Sequence, residues 1–197
     1  MPGLDLGDER VRLRTTVASD REALVAIRST PEVRRRWGGD DLDAEFIRGL
    51  AEEGVERLTI EDETGRIIGL IQFTEADDPK YRHAGIDLYV DPAVHRRGYG
   101  LAAVGALVRY LTDGRGHHRL VIDPAVDNEA AIACYTKAGF RPVGVMRRYE
   151  LRADGSWADG LLMELLAGEG ERTSPAPPGA IPGSAADRAA DQDRPQG

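Results

Sequence analysis

Residues 85–108 have the sequence GIDLYVDPAVHRRGYGLAAVGALV, in which a strand pattern passes through a basic turn into a helix pattern. The strand pattern stops at Pro92, and apolar residues then recur at helical spacing from Leu101 to Leu111. The first N–H groups of such a helix have no intrahelical partners, and together with the helix dipole they attract phosphate oxygens. We therefore expect a strand–turn–helix unit whose turn binds an anion.

The composition of the turn suits a phosphate-bearing ligand. Gly98 and Gly100 carry no Cβ, so the backbone can approach a pyrophosphate closely, and two arginines add positive charge. We expect contacts from the whole turn: His95, Arg96, Arg97, Gly98, Tyr99, Gly100 and Leu101. A solvated basic turn in front of a helix would give the same pattern, so the turn alone leaves both interpretations open.

A second informative segment is VIDPAVDNEAAIACYTKAGF, residues 121–140. Asp127 is predicted to cap its helix, and Gly139 is predicted to end it. Asn128 and Tyr135 are separated by about two helical turns, which places both side chains on the same helix face. The pair is also compatible with a capping residue and a core residue.

Together these segments resemble the GNAT superfamily of acetyl-CoA-dependent N-acetyltransferases. HRRGYG is similar to its pyrophosphate loop, and DNEAAIACYTKAGF is similar to its Asn…Tyr…Lys-x-Gly-Phe helix; the resemblance covers residues 11–166. It implies that acetyl-CoA is the co-substrate and contacts residues 95–101 and Asn128. Tyr135 would donate a proton to the leaving thiolate. His95 departs from the family, which usually has Gln or Arg there.

The strand before the turn contributes to the expected cofactor site through its backbone. One strand N–H group from Leu88 to Val90 is expected to polarise the thioester carbonyl, and Tyr89 and Val90 are predicted to be cofactor contacts. The resemblance implies direct transfer in a ternary complex.

A narrower resemblance is to the aminoglycoside 6'-N-acetyltransferases. It rests on Arg36-Trp37-Gly38-Gly39, Gly85-Ile86-Asp87, Asp123-Pro124 and Ile132-x-Cys134-Tyr135-x-Lys137-Ala138-Gly139-Phe140. It implies that Asp87 binds or deprotonates the acceptor amine and that Asp123 contacts sugar amines. Trp37 would form the floor of a sugar site. The loop at residues 75–83 departs from this group, because it mixes cations with acids.

The sequence around Asp87 supports a role in catalysis independently. This carboxylate stands between Ile86 and Leu88 in an otherwise apolar strand, where a buried aspartate without a partner is costly. In a cleft it could attract an ammonium group and accept its proton. A structural aspartate with a nearby donor remains the alternative. Asp123 could simply begin the turn at Pro124, and Trp37 could be a core or interface anchor.

Three further residues are less suited to a role in catalysis or metal binding. Cys134 has no histidine placed to activate it and is expected to be a small buried apolar residue. His117 and His118 are expected at the surface or a sheet edge. No ligand cluster has metal-site spacing, so no metal is expected.

The whole pattern predicts an α/β domain with one mixed sheet, in the order β-α-α-β-β-β-α-β-α-β-β, whose central strands splay apart. Ser19 and Glu22 are predicted to form a capping box for the first helix. Asp40 or Asp41 is predicted to cap the second, with Leu42, Phe46, Ile47 and Leu50 on one side. The last two strands are predicted to form a hairpin around Ala153-Asp154-Gly155.

Composition bounds the partners. The chain has 197 residues, a net charge of −8 and no basic run, which argues against nucleic acid or an anionic membrane and favours a cationic small-molecule amine. Residues 1–167 are expected to form the acetyltransferase domain, and the Pro/Gly/Ala-rich residues 168–197 a disordered tail. The start shows no signal-like apolar stretch, so a cytoplasmic protein is expected. We expect a monomer or a homodimer.

Three functions fit these expectations. The first is acetylation of an aminoglycoside or a similar aminosugar, an antibiotic-resistance activity. The second is acetylation of another amine, such as a polyamine, a metabolite, or a peptide or protein terminus. The third is a non-catalytic acyl-CoA-binding module, against which Asp87 and Tyr135 argue.

Overall fold

The computed structural model describes residues 4–7, 9–152 and 154–169. The predicted tail from residue 170 onward and Ala153 of the predicted turn lie outside these residues. The strands are β1 Asp5–Gly7, β2 Val11–Thr15, β3 Val55–Asp62, β4 Ile67–Ala76, β5 His83–Val90, β6 Arg119–Ile122, β7 Arg141–Leu151 and β8 Trp157–Leu166. The helices are α1 Arg21–Arg28, α2 Pro31–Trp37, α3 Leu42–Leu50, α4 Tyr99–Arg109 and α5 Glu129–Lys137.

The strands form one eight-stranded mixed sheet in the order β1-β2-β3-β4-β5-β6-β8-β7. Every neighbouring pair is antiparallel except β5 and β6. That parallel pair is joined only at Ala84↔Leu120 and Gly85↔Val121, although β5 continues to Val90. The two strands therefore part beyond Gly85, which confirms the predicted α/β fold with splayed central strands.

Helices cover both faces of the sheet, and neighbouring residues on the central strands alternate between two cores. Ile71 and Ile86 belong to the larger core, which contains the buried side of α4. Leu70 and Tyr89 belong to a smaller cluster that they form with Leu24, Ile27 and Val33 of α1 and α2. This alternation follows from the two-residue period of a strand. Each strand position thus has its face fixed by packing.

Two elements were not predicted. β1 is only three residues long, too short for a pattern, and it exists because Leu6 pairs with Leu13 of β2. α2 begins at Pro31, a favoured first helical residue, but of its seven residues only Val33 is buried. A helix with one buried apolar residue shows no periodicity in the sequence.

Two helix starts differ from the predictions, and the predicted cap of α3 is confirmed at one of its two candidate residues. Ser19 and Glu22 do not form a capping box; a 3₁₀ turn precedes α1, and the Asp20 carboxylate accepts from the Val17 N–H at 3.0 Å. Asp41 caps α3 by accepting from Ala44, whereas Asp40 does not. Asn128, not Asp127, caps α5. Asp127 is instead held by two arginines.

The predicted inner face of α3 is only half right. Leu42 is buried and Phe46 packs on the smaller cluster, but Ile47 and Leu50 are 52% and 38% exposed. One further correction concerns His117, which was expected at the surface. It is 1% exposed, and its Nε2 lies 2.5 Å from Oε1 of Glu75, a partner 42 residues away.

The helices of the described ranges include none that is both long and apolar enough to cross a membrane.

Candidate active site

The predicted anion-binding turn has the backbone that such a site needs. Gly98 is the residue before α4, with φ 86° and ψ 0°, and Arg96 also has a positive φ of 62°. No side chain caps the helix, so its first N–H groups keep their hydrogen-bonding capacity. Arg96, Arg97 and Gly98 are exposed. The turn therefore presents backbone donors at the positive end of a helix dipole.

Contacts from three sides hold the turn in place. The His95 Nε2 donates to the Val90 carbonyl at 2.9 Å, and Arg10 donates to the Arg97 carbonyl at 2.8 Å. The Tyr99 hydroxyl donates to Glu63 at 3.1 Å. The side chains of His95 and Tyr99 are thus occupied within the protein. Leu101 and Gly100 lie half-buried in the first turn of α4.

The open edge of β5 lies beside this turn. The Asp91 N–H donates to Ile68 of β4, so by strand alternation the N–H groups of Val90 and Leu88 point to the opposite side, where β6 has parted from β5. Tyr89 was predicted to be a cofactor contact, but the same alternation turns its N–H toward β4. Its side chain packs edge-on against Trp37, with ring centroids 4.9 Å apart. The structure therefore directs Tyr89 away from the open edge.

A cleft of about 380 Å³ opens where β5 and β6 separate. Asp87, Asp123 and Glu150 bring three carboxylates into it. The lining residues are Arg36, Trp37, Gln72, Asp87, Leu88, Ile122, Asp123, Pro124, Ala125, Asn128, Tyr135, Tyr149 and Glu150. The structure thus brings together residues that the sequence singled out in three separate segments: Trp37, Asp87, Asp123, Asn128 and Tyr135.

The pKa of the Asp87 carboxyl is raised, first by burial and then by the nearby charge of Asp123. A hydrogen bond with Gln72, its cross-strand partner, acts in the opposite direction. The residue nevertheless stays exposed to solvent in the cleft that it lines. Asp123 is therefore close enough for its charge to act on the Asp87 carboxyl.

Two residues that line the cleft were missed from the sequence, and both come from β7. The Tyr149 hydroxyl donates to Oδ2 of Asp123, and Glu150 lines the cleft with a pKa raised mainly by burial. The register of β7 against β8 shifts between Met146 and Glu150, and Arg148 within the bulge has φ 50°. Hairpin patterning predicts the strand but not this bulge, which aims Tyr149 into the cleft.

Tyr135 and Asn128 lie on the α5 side of the cleft. Tyr135 is 8% exposed, and burial raises the pKa of its hydroxyl, with a further contribution from the charges of Asp87 and Asp123. The hydroxyl consequently stays protonated at neutral pH. Asn128 uses its Oδ1 to cap α5, accepting from Ala131 at 3.3 Å.

Arg36 closes one side of the cleft. Its guanidinium reaches from the end of α2 to Asp127, which also binds Arg152 at 2.7 Å. The neighbouring Trp37 therefore stands at the edge of the cleft. Its position suits either the predicted floor or an anchor.

No group of three or more His, Cys, Asp or Glu side chains in the described ranges is arranged to hold a metal. Burial raises the pKa of the Cys134 thiol. This favours its neutral form over a nucleophilic thiolate.

Known proteins share both sequence and fold with this chain. A family model described as an acetyltransferase (GNAT) domain matches residues 10–141. The uncharacterized N-acetyltransferase YoaA of Bacillus subtilis is 29% identical over 158 residues, covering 73% of this chain and 86% of that protein.

Two solved structures have a similar fold. Spermidine N-acetyltransferase from Vibrio cholerae in complex with CoA and spermine gives a TM-score of 0.70 at 18% identity, covering 81% of this chain and 96% of that one. AAC(6')-Ib in complex with paromomycin and acetyl-CoA gives 0.67 at 25% identity, covering 83% and 97%.

Proposed function

The chain belongs to the GNAT family of acetyltransferases and is an acetyl-CoA-dependent N-acetyltransferase, and on this premise we propose that it acetylates a primary amine of a small molecule bound in the cleft. One observation carries the proposal: three carboxylates face a cleft that opens directly between β5 and β6. Carboxylates attract an ammonium group, and the adjoining open strand edge offers N–H donors to a carbonyl.

The residues around the turn fit the cofactor. Acetyl-CoA supplies the acetyl group as a thioester and carries a pyrophosphate. The uncapped start of α4 and the positive φ of Arg96 and Gly98 suit that pyrophosphate. The N–H groups of Leu88 and Val90 on the open edge of β5 suit the thioester arm.

Two residues of the chain would move the protons. Asp87 accepts the proton that the amine loses as its nitrogen bonds to the acetyl carbon. Tyr135 supplies the proton that the sulfur takes as the carbon–sulfur bond breaks. The raised pKa of Tyr135 agrees with a donor that is protonated before the reaction. The proton balance is closed when solvent reprotonates Tyr135 and takes the proton from Asp87.

Positioning of the amine and the thioester is expected to contribute more to the reaction rate than either Asp87 or Tyr135. Orienting two reactants can supply roughly 7–11 kcal/mol in the best intramolecular models. One N–H donor to the developing oxyanion is worth about 3 kcal/mol, and a general base adds about 10²–10⁴-fold. The rigid sheet edge and the cleft therefore matter more than any one residue.

An aminoglycoside 6'-amine is the second candidate acceptor. Its support is Trp37 beside an acid-lined cleft, together with the similarity to AAC(6')-Ib in complex with paromomycin. A polyamine is an alternative amine of the same charge, as in the spermine complex of the Vibrio cholerae enzyme.

Release of the free CoA thiol across a panel of amines tests the proposal. The panel contains a polyamine, an aminoglycoside, amino acids, ω-amino acids and a short peptide. We expect amine-dependent thiol release, with an acetylated product of matching mass. CoA binding with no turnover of any amine would instead support an acyl-CoA-binding module.

A further inference from the structure

A second cavity, of about 290 Å³, lies beside the cleft on the same face of the sheet. It is lined by residues of α1, α2, α3, β3, β4 and β5. Trp37 and Gln72 line both spaces, so they form the boundary between cleft and cavity. A ligand that passes this boundary would occupy both.

The charge of the second cavity is opposite to that of the cleft. Arg28, Arg48 and Arg57 line it together with Glu45 and Glu52. Two of these arginines are paired, Arg28 with Glu45 at 2.7 Å and Arg57 with Glu52 at 2.5 Å. Arg48 is exposed at the edge of the cavity and leaves a surplus positive charge. The cleft, by contrast, contains three carboxylates and only Arg36, which binds Asp127.

Hydrogen-bond donors in the second cavity remain unused. Arg28 uses Nη2 for Glu45 and the Trp37 carbonyl, while its buried Nε has no partner. The Tyr89 hydroxyl lies near Arg28, whose charge acts on its pKa against the raising effect of burial. Within the described ranges, no hydrogen-bond acceptor serves that hydroxyl. The Tyr89 hydroxyl can therefore donate to a ligand in this cavity, and the positive charge of Arg28 beside it would attract an anionic group.

The spacing between the two spaces follows from the strand. Asp87 faces the cleft and Tyr89 faces the second cavity, both on the same side of β5. Side chains two residues apart on a strand are separated by about 7 Å. An acceptor whose amine is at Asp87 would therefore place a group at Tyr89 and Arg28 roughly that far away.

We propose that the acceptor is an amino carboxylate, whose amine lies at Asp87 and whose carboxylate lies in the second cavity between Arg28, Arg48 and Tyr89. This inference rests on the proposed acetyl transfer and specifies its substrate class. An ω-amino acid or a short peptide has the required separation of charges. A polyamine or an aminoglycoside would place a further ammonium group beside two arginines.

A matched pair of acceptors tests the inference: 6-aminohexanoate and 6-aminohexanamide have the same length and amine but differ in charge. We expect kcat/KM to be at least about tenfold higher for the carboxylate, mainly through KM, because a charged hydrogen bond is retained. Equal values, or a preference for the amide, would overturn it. If no amine in any panel is acetylated, the proposed function itself fails.

Two variants test whether the preference for the carboxylate acceptor arises in the second cavity. Arg48→Gln, at an exposed residue of α3, should reduce the ratio of kcat/KM for the carboxylate to kcat/KM for the amide severalfold. Arg28→Gln should reduce it further, although loss of the Glu45 partner could impair folding. Arg35→Gln, an exposed arginine of α2 outside both spaces, is the control for overall charge. An Arg48→Gln enzyme that keeps the full preference, or loses no more of it than the Arg35→Gln control, would overturn the assignment of the carboxylate to this cavity.

Discussion

The hydroxyl of Tyr149 determines how the Asp123 carboxylate is presented to the cleft. It reaches Asp123 across Gly160 of β8, where a Cβ would lie 2.9 Å from Cδ1 of Tyr149. The hydrogen bond raises the pKa of Tyr149 to about 12. The hydroxyl therefore stays protonated near neutral pH and donates its hydrogen bond to Asp123 there.

Tyr149→Phe should weaken acceptor binding more than it slows the chemical step. The variant leaves Asp87 in place but frees Asp123 to rotate, and we expect KM for a cationic amine to rise up to about tenfold. Because Tyr149 does not ionise between pH 6 and 9, the ratio of variant to wild-type KM should stay constant there. Steady-state kinetics at several pH values measure this.

Tyr81→Phe is the matched control, since Tyr81 is 71% exposed and outside the cleft. An unchanged KM in the Tyr149 variant, or a fall in kcat alone, would show that this hydroxyl does not position the acceptor site.

Single residues differ in how far the sequence could predict them. Asp87 is the one acid in an apolar stretch, so its placement in a cleft could be predicted from β5 alone. Tyr149 could not, because a one-residue change of register reverses the face of every later residue and the bulge in β7 has no sequence signal. His117 could not either, since its partner Glu75 lies 42 residues away in β4.

The turn before α4 is expected to bind the cofactor through its backbone conformation. Gly98 adopts φ 86°, a conformation that a β-branched residue rarely adopts. Gly100 is different, because a Cβ there would make ordinary contacts at 3.8 and 3.9 Å with Val90 and Cys134. The fold thus requires glycine at residue 98 but not at residue 100. The sequence predicted this turn well because strand, glycines and helix are adjacent in the chain.

Gly98→Val should weaken binding of CoA at least about tenfold, because it distorts the donors at the start of α4. Gly65→Val is the control: Gly65 has φ 83° in the β3–β4 turn, with open space around it, so the backbone strain is similar but distant from the site. Calorimetric titration with CoA compares the two. Equal affinities in the two variants would remove the turn from the cofactor site.

At the scale of the whole molecule, the separation of β5 and β6 brings the proposed cofactor site and the proposed acceptor site together. The start of α4 and the open edge of β5 form one side, and the carboxylates from β5, β6 and β7 form the other. The mixed sheet and the order of its elements, apart from β1 and α2, could be predicted from the alternation of strands and helices. The second cavity could not, because it depends on α2, a helix whose sequence shows no apolar periodicity.

The proposed role of Asp87 as the base that deprotonates the acceptor amine is tested most directly by Asp87→Asn. This variant keeps the shape of the side chain and removes its charge and basicity. In the wild-type enzyme, kcat should fall as the pH drops through the raised pKa of Asp87, because the protonated carboxyl cannot accept a proton. The variant should lack this acid limb. Its kcat near neutral pH should be at least about a hundredfold lower, within the usual range for loss of a general base.

The decisive measurement is the pH–rate profile of both proteins with one good acceptor, together with their CoA affinities. We expect the affinities to be equal and the variant to recover part of its activity at high pH, where the amine loses its proton unaided. Near-normal turnover of the variant across the whole profile would contradict the assignment of Asp87 as the base.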